Sequence, residues 1–180
     1  MAITAEQVKE LRLATSAPML DCRRALEASD GDFDRAVAWL REKGLAAAAK
    51  KAGREARNGV VELYAHGGGR VGVMVEVNCE TDFVARTEQF RTFAHEVALQ
   101  IAAANPRWLS AEEAPAEDRE SGRAEGLSLL QQPYIRDERK SVGELLQATI
   151  SSIGENIVIR RFARWELGED AATELQAHPA

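Results

Sequence analysis

Cysteine is scarce. Cys22 and Cys79 are the only two in 180 residues, and no paired ligand spacing surrounds them. A disulfide framework and a zinc site are both unsupported, and the two cysteines read as small buried hydrophobes or plain thiols. Histidine is as thin: His66, His95 and His178 have no second ligand or orienting partner at a useful spacing. No metal centre, acid–base pair or cofactor is therefore expected, and the catalytic set is empty. A surplus of positive charge is also missing. The net charge is −6 with 29% charged residues, whereas a general nucleic-acid binder is basic. That balance suits a soluble protein with protein partners and no direct contact to nucleic acid. No apolar stretch approaches membrane-spanning length. The start, Met1-Ala2-Ile3-Thr4, lacks a basic segment leading into an apolar run. A reducing cytoplasm is the expected location, with no membrane partner.

What is present centres on Asn78-Cys79-Glu80-Thr81-Asp82-Phe83-Val84-Ala85-Arg86. Before it, Val71, Val73, Val75 and Val77 alternate, the period of a half-buried strand. After it, Phe90, Phe93, Ala94, Val97, Ala98 and Ile101 recur at helical steps. The stretch is thus a strand-to-helix junction, with Thr81 and Asp82 as good N-cap residues. Phe83 is the odd member, a large aromatic at a cap. It is either a staple folded back on the core or a probe pointing outward.

Three short helices fit residues 1–45. Thr4 and Gln7 suit a capping box opening a helix through Val8 and Leu11 to about Ala14. Pro18 breaks it. Met19 to Ala28 reads as a second helix, with Leu20 and Leu26 in its apolar set. Asp32 caps a third, with Phe33, Val37 and Leu40 inward, and Gly44 fits a C′ position. Met19 and Leu20 are either core or an exposed apolar patch beside Arg12 that grips a partner helix. The pattern resembles a ubiquitin-associated-like bundle. Residues 46–58, rich in alanine with Lys50, Lys51, Arg54 and Arg57, read as a solvated basic linker helix.

Residues 59–168 read as a core domain. Val60 to Ala65 and Val71 to Val77 form a hairpin around Gly67-Gly68-Gly69, which lacks the lysine and hydroxyl ending of a phosphate loop. Trp108 to Gly126 is polar, with one or two short helical turns. Ser141 to Ile153 is a clear helix, and Ile157 to Leu167 is a strand that closes the sheet. Strict alternation puts Ile157, Ile159 and Trp165 on one face of it and Val158 and Phe162 on the other. Residues 169–180 read as a flexible tail. The fold class expected is α+β: a three-helix bundle, a linker helix, and a three-stranded antiparallel sheet packed by helices.

Several motifs, in order, resemble one family. They are Met19-Leu20-Asp21-Cys22-Arg23-Arg24-Ala25-Leu26, Gly31-Asp32-Phe33, Trp39-Leu40, Ala48 to Ala52, Val75 to Arg86, and Ile153 to Phe162. Together they look like elongation factor Ts, the exchange factors of elongation factor Tu, in the short form with one core subdomain. Two departures stand out. Ser16-Ala17-Pro18 replaces the usual Gly-Ala-Gly, and the segment from Asp118 to Pro133 is shorter than usual. The resemblance implies no bond chemistry and hence no enzyme. It implies that Thr81, Asp82, Phe83 and Val84 meet the G domain of elongation factor Tu, with Phe83 wedging outward to disturb the magnesium and phosphate site. It further implies docking of the bundle through Arg12, Met19 and Leu20, and a homodimer joined through the sheet. A shortened middle segment folded across the sheet would instead leave a monomer. Other classes fit less well. A ubiquitin-fold or helix-binding adaptor leaves the Thr-Asp-Phe junction unexplained, and an enzyme built on Glu80 and Asp82 lacks a partner group.

Overall fold

The computed structural model describes residues 3–15 and 17–169. Ser16, and the tail from position 170 onward, lie outside the described residues. Helix α1 (Ala5–Thr15) opens on the expected capping box. The Thr4 amide donates to Gln7 Oε1 at 2.9 Å and the Gln7 amide donates to Thr4 Oγ1 at 3.3 Å. Helix α2 (Met19–Ala28) follows. Helix α3 (Phe33–Ala49) starts where Asp32 accepts from the Arg35 amide at 2.9 Å. Val8, Leu11, Cys22, Ala25, Leu26, Ala36 and Leu40 form a small separate core.

The third helix departs from expectation. Gly44 does not end it; α3 runs on through Ala49. Gly44 is buried where α3 crosses α8 (Val142–Ile153), and a Cβ there would meet the Ser151 side chain at 3.9 Å. The residue is small because two helices approach there, not because the chain must turn left-handed. Leu40 serves the bundle core, while Ala48 belongs to the main core. One rigid helix therefore spans both cores, and a separate solvated linker helix over 46–58 does not form. Residues 50–57 turn and extend, and three of their cations have partners. Lys51 Nζ donates to the Ile150 carbonyl at 3.2 Å, Arg54 pairs with Glu80 at 3.5 Å, and Arg57 pairs with Glu55.

The sheet has the order β1-β2-β5, all antiparallel: β1 (Asn58–His66), β2 (Val71–Cys79) and β5 (Ile157–Glu166). Its inner face carries Val73, Val75 and Val77 against α5 (Glu88–Ala104), whose Phe90, Val97 and Ile101 are buried. Full burial of one such side chain contributes about 1.5–3 kcal/mol. Between β2 and α5 lies the single turn α4 (Asp82–Ala85). After α5 come a 3₁₀ turn (Ala111–Glu113), α6 (Ala116–Glu120) and α7 (Arg123–Leu127), packed on Trp108, Ala114 and Ala124. A small hairpin, β3 (Pro133–Tyr134) with β4 (Asp137–Ser141), precedes α8 and was not anticipated. Buried Gln100 of α5 holds it, donating to the Pro133 carbonyl at 3.2 Å and accepting from the Ile135 amide at 2.9 Å.

The facing of β5 also differs from strict alternation. Val77 pairs with Ile159 and Glu76 with Arg161, so Arg160 is an extra residue, a bulge. A bulge reverses the parity of everything after it. Phe162, opposite Val75, joins Ile157 and Ile159 on the inner face. Trp165, opposite Gly72, joins Val158 on the outer one. Val61, Leu63, Met74 and Trp165 lie exposed on that outer face. The segment 106–132 does not cover it.

Candidate partner-binding surfaces

The junction is built from the strand end outward. Gly59 of β1 lies so close to β2 that a Cβ would sit 2.1 Å from the Val77 carbonyl oxygen, at φ +149°. Only glycine fits there. Asn78, buried, donates to the Asn58 carbonyl and accepts from Arg160 Nε at 2.9 Å. Cys79 is buried and donates its thiol hydrogen to the Thr81 carbonyl at 3.1 Å. Burial, with Glu155 nearby, pushes its pKa up to about 11. Burial also raises that of Cys22. At pH 8 the thiolate of Cys79 is then about one part in a thousand, so it is no nucleophile. Both cysteines should label with a disulfide reagent only as fast as the fold opens. Fast labelling of native protein at pH 8 would refute this.

Thr81 caps α4 as expected, its hydroxyl oxygen accepting from the Val84 amide at 3.3 Å. A single turn gives each residue its own direction. Ala85 is buried and Val84 packs half-buried on the main core. Asp82 and Phe83 consequently face solvent. Phe83 is 79% exposed, so it is not a staple. Arg86 pairs with Asp82 at 2.7 Å, and the Thr87 hydroxyl donates to the Val84 carbonyl at 2.8 Å, closing the turn. Thr87 then caps α5. An exposed phenylalanine on a fixed turn costs solvation and leaves a rigid apolar probe.

Further exposed side chains flank the connection from α1 to α2. Arg12 is exposed, and so are Met19 and Leu20, the latter at 70%. Leu20 thus leaves the apolar set that Leu26 belongs to. Leu13 was missed. It is 77% exposed beside Arg12, and its signal was available: it falls off the stripe set by Val8 and Leu11. The two described histidines, His66 and His95, each have one close polar partner. His66 Nδ1 lies 3.0 Å from the Tyr64 hydroxyl, and His95 Nδ1 lies 2.9 Å from Glu62. Among the described residues, no three His, Cys, Asp or Glu side chains converge as a metal site would need, and no helix is long and apolar enough to cross a membrane.

A sequence profile described as Elongation factor TS matches residues 6–125. The chain belongs to the elongation factor Ts family. An elongation factor Ts of Caldanaerobacter subterraneus subsp. tengcongensis is 52% identical, over 93% of this chain and 98% of that protein. One of Carboxydothermus hydrogenoformans is 50% identical, over 94% and 91% respectively, and one of Geobacter sulfurreducens is 47% identical over 94% and 91%. Membership places this chain among proteins of translation elongation. The alignment with the first relative spans 195 positions, more than the 180 of this chain, so the relative has residues that this one lacks.

Proposed function

We propose that this chain is a guanine nucleotide exchange factor that binds elongation factor Tu carrying GDP and promotes GDP release. The observation that carries this is Phe83, standing 79% exposed on a turn fixed by its neighbours. In this proposal Phe83, flanked by Thr81, Asp82 and Val84, wedges into the G domain and disturbs the residues that hold magnesium and the phosphates. Those contacts are electrostatic and act together. A small displacement weakens many at once. Exchange is then a coupling free energy: the factor lowers nucleotide affinity, and nucleotide lowers the factor's affinity equally. In this reading no bond forms or breaks, so the chain is not a catalyst of chemistry and needs no cofactor; its proposed place of action is the cytoplasm. The test is release of labelled GDP from elongation factor Tu with and without this protein. No acceleration at micromolar factor would end the proposal.

Arg12, Met19 and Leu20, extended by Leu13, form the second contact in this proposal. Its test must respect α3. Deleting residues 1–45 would cut that helix between its two cores, so a deletion would report on folding as well as docking. Point changes separate them. Met19→Ala with Leu20→Ala should weaken binding about 10- to 100-fold, as for anchor residues at an interface. The thermal midpoint should stay near wild type, because both side chains are exposed. Equal affinity for wild type and double variant, by titration calorimetry, would remove the bundle from the interface. We also propose that two copies pair through the outer sheet face.

A further inference from the structure

Glu155 lies in the turn between α8 and β5, just after Gly154, which ends α8 at φ 90°. Its carboxylate reaches across to the junction. Oε2 accepts from the amides of Glu80 at 3.1 Å and Thr81 at 3.0 Å, and Oε1 accepts from the Thr81 hydroxyl at 2.7 Å. The favour is returned: Glu80 Oε1 accepts from the Asn156 amide at 2.6 Å. Each turn is thus capped by a carboxylate of the other.

The bond to Thr81 has a directional consequence. A hydroxyl has one proton. Thr81 gives it to Glu155, which leaves its lone pairs for the Val84 amide, the bond that caps α4. A helix of four residues has no stability of its own. Its direction is set by what its ends hold: Ala85 in the core, and Thr81 on Glu155. Phe83 is carried between them.

We propose that Glu155 is the positioning residue for Phe83, holding α4 through Thr81 so that the phenyl ring is presented in one fixed direction. This rests on the assignment of Phe83 as the wedge. A charged carboxylate suits the task because it only accepts. In Glu155→Gln one oxygen still accepts the two backbone amides, but the side-chain NH₂ now faces the Thr81 hydroxyl as a donor. The Thr81 proton then has no acceptor there, and the Val84 bond has a competitor.

The experiment uses the full chain and elongation factor Tu loaded with labelled GDP. GDP release is followed over a range of factor concentrations, which separates the maximal rate from the half-saturating concentration. Glu155→Ala should lower the maximal rate about tenfold, since misplacement of a working group by about an ångström costs up to a hundredfold. The half-saturating concentration should move less than about threefold, because the Arg12, Met19 and Leu20 patch is untouched. Amide hydrogen exchange at Glu80, Thr81 and Val84 should quicken while Val75 and Val77 stay protected. Glu155→Gln, which keeps the backbone clamp, should fall between and should fold even if the alanine variant does not. Maximal rates within twofold of wild type for the glutamine variant and any folded alanine variant, while Phe83→Ala is inactive, would overturn the role of Glu155 alone. A fully active Phe83→Ala would instead overturn the wedge assignment, and this inference with it.

Discussion

Phe83→Ala should fold like the wild type and lose most of the proposed power to accelerate GDP release. Two phenylalanines seven residues apart make the case. Phe90 is fully buried, and Phe83 is 79% exposed. Phe90→Ala should cost about 3–5 kcal/mol of stability, the range for deleting a core aromatic. Phe83→Ala removes almost no buried surface and should leave the thermal midpoint within a few degrees. Its loss falls on the complex. A central aromatic anchor contributes about 2–4 kcal/mol, so the stimulated release rate should drop about 30- to 1,000-fold. The two variants therefore separate stability from exchange. A Phe83→Ala protein that melts early, or one that accelerates GDP release as wild type does, would each sink the wedge assignment.

The caps and the long periodic helices were legible in the sequence because their causes are local. Thr4 with Gln7, Asp32 and Thr81 all cap where a short oxygen precedes the helix. Ser141 and Glu144 complete a reciprocal box at the start of α8. The readings that failed depend on distant partners. Gly44 as a helix end and Gly44 as a packing residue are the same letter, and Ser151, more than a hundred positions away, decides between them. The β3–β4 hairpin hangs on side chains of α5: Gln100 holds its backbone, and Glu96 accepts from the Tyr134 hydroxyl at 2.6 Å. Nothing in Pro133 to Ser141 alone announces that. At the junction, the sequence alone left Phe83 between staple and probe. Val84 and Ala85 take the inward places on a one-turn helix, and that packing leaves Phe83 outside.

The bulge at Arg160 matters most for assembly, and it leads to the second large effect. Without it, Trp165 would lie with Ile157 and Ile159 against α5. With it, Trp165 joins Val61, Leu63 and Met74 on a face that the rest of the described chain leaves open. Arg161 and Glu76 pair across this face at 2.8 Å. A two-sided sheet with an apolar outer face calls for a cover. A second copy would offer the same surface about a two-fold axis, giving an isologous contact in which the same patch serves both sides. Light scattering of the wild type should give twice 19.7 kDa at micromolar concentration, and its melting temperature should rise with concentration. Leu63→Glu should give the single mass. The substitution enters the interface twice, burying two like charges, and so should weaken pairing at least about a hundredfold. Leu63 is 69% exposed in one copy, so the folded monomer should persist. Phe83→Ala, on another surface, should remain paired. If the wild type stays at 19.7 kDa over the whole concentration series, the outer face is not a self-interface. If instead Leu63→Glu keeps the double mass, the pairing runs through some other surface.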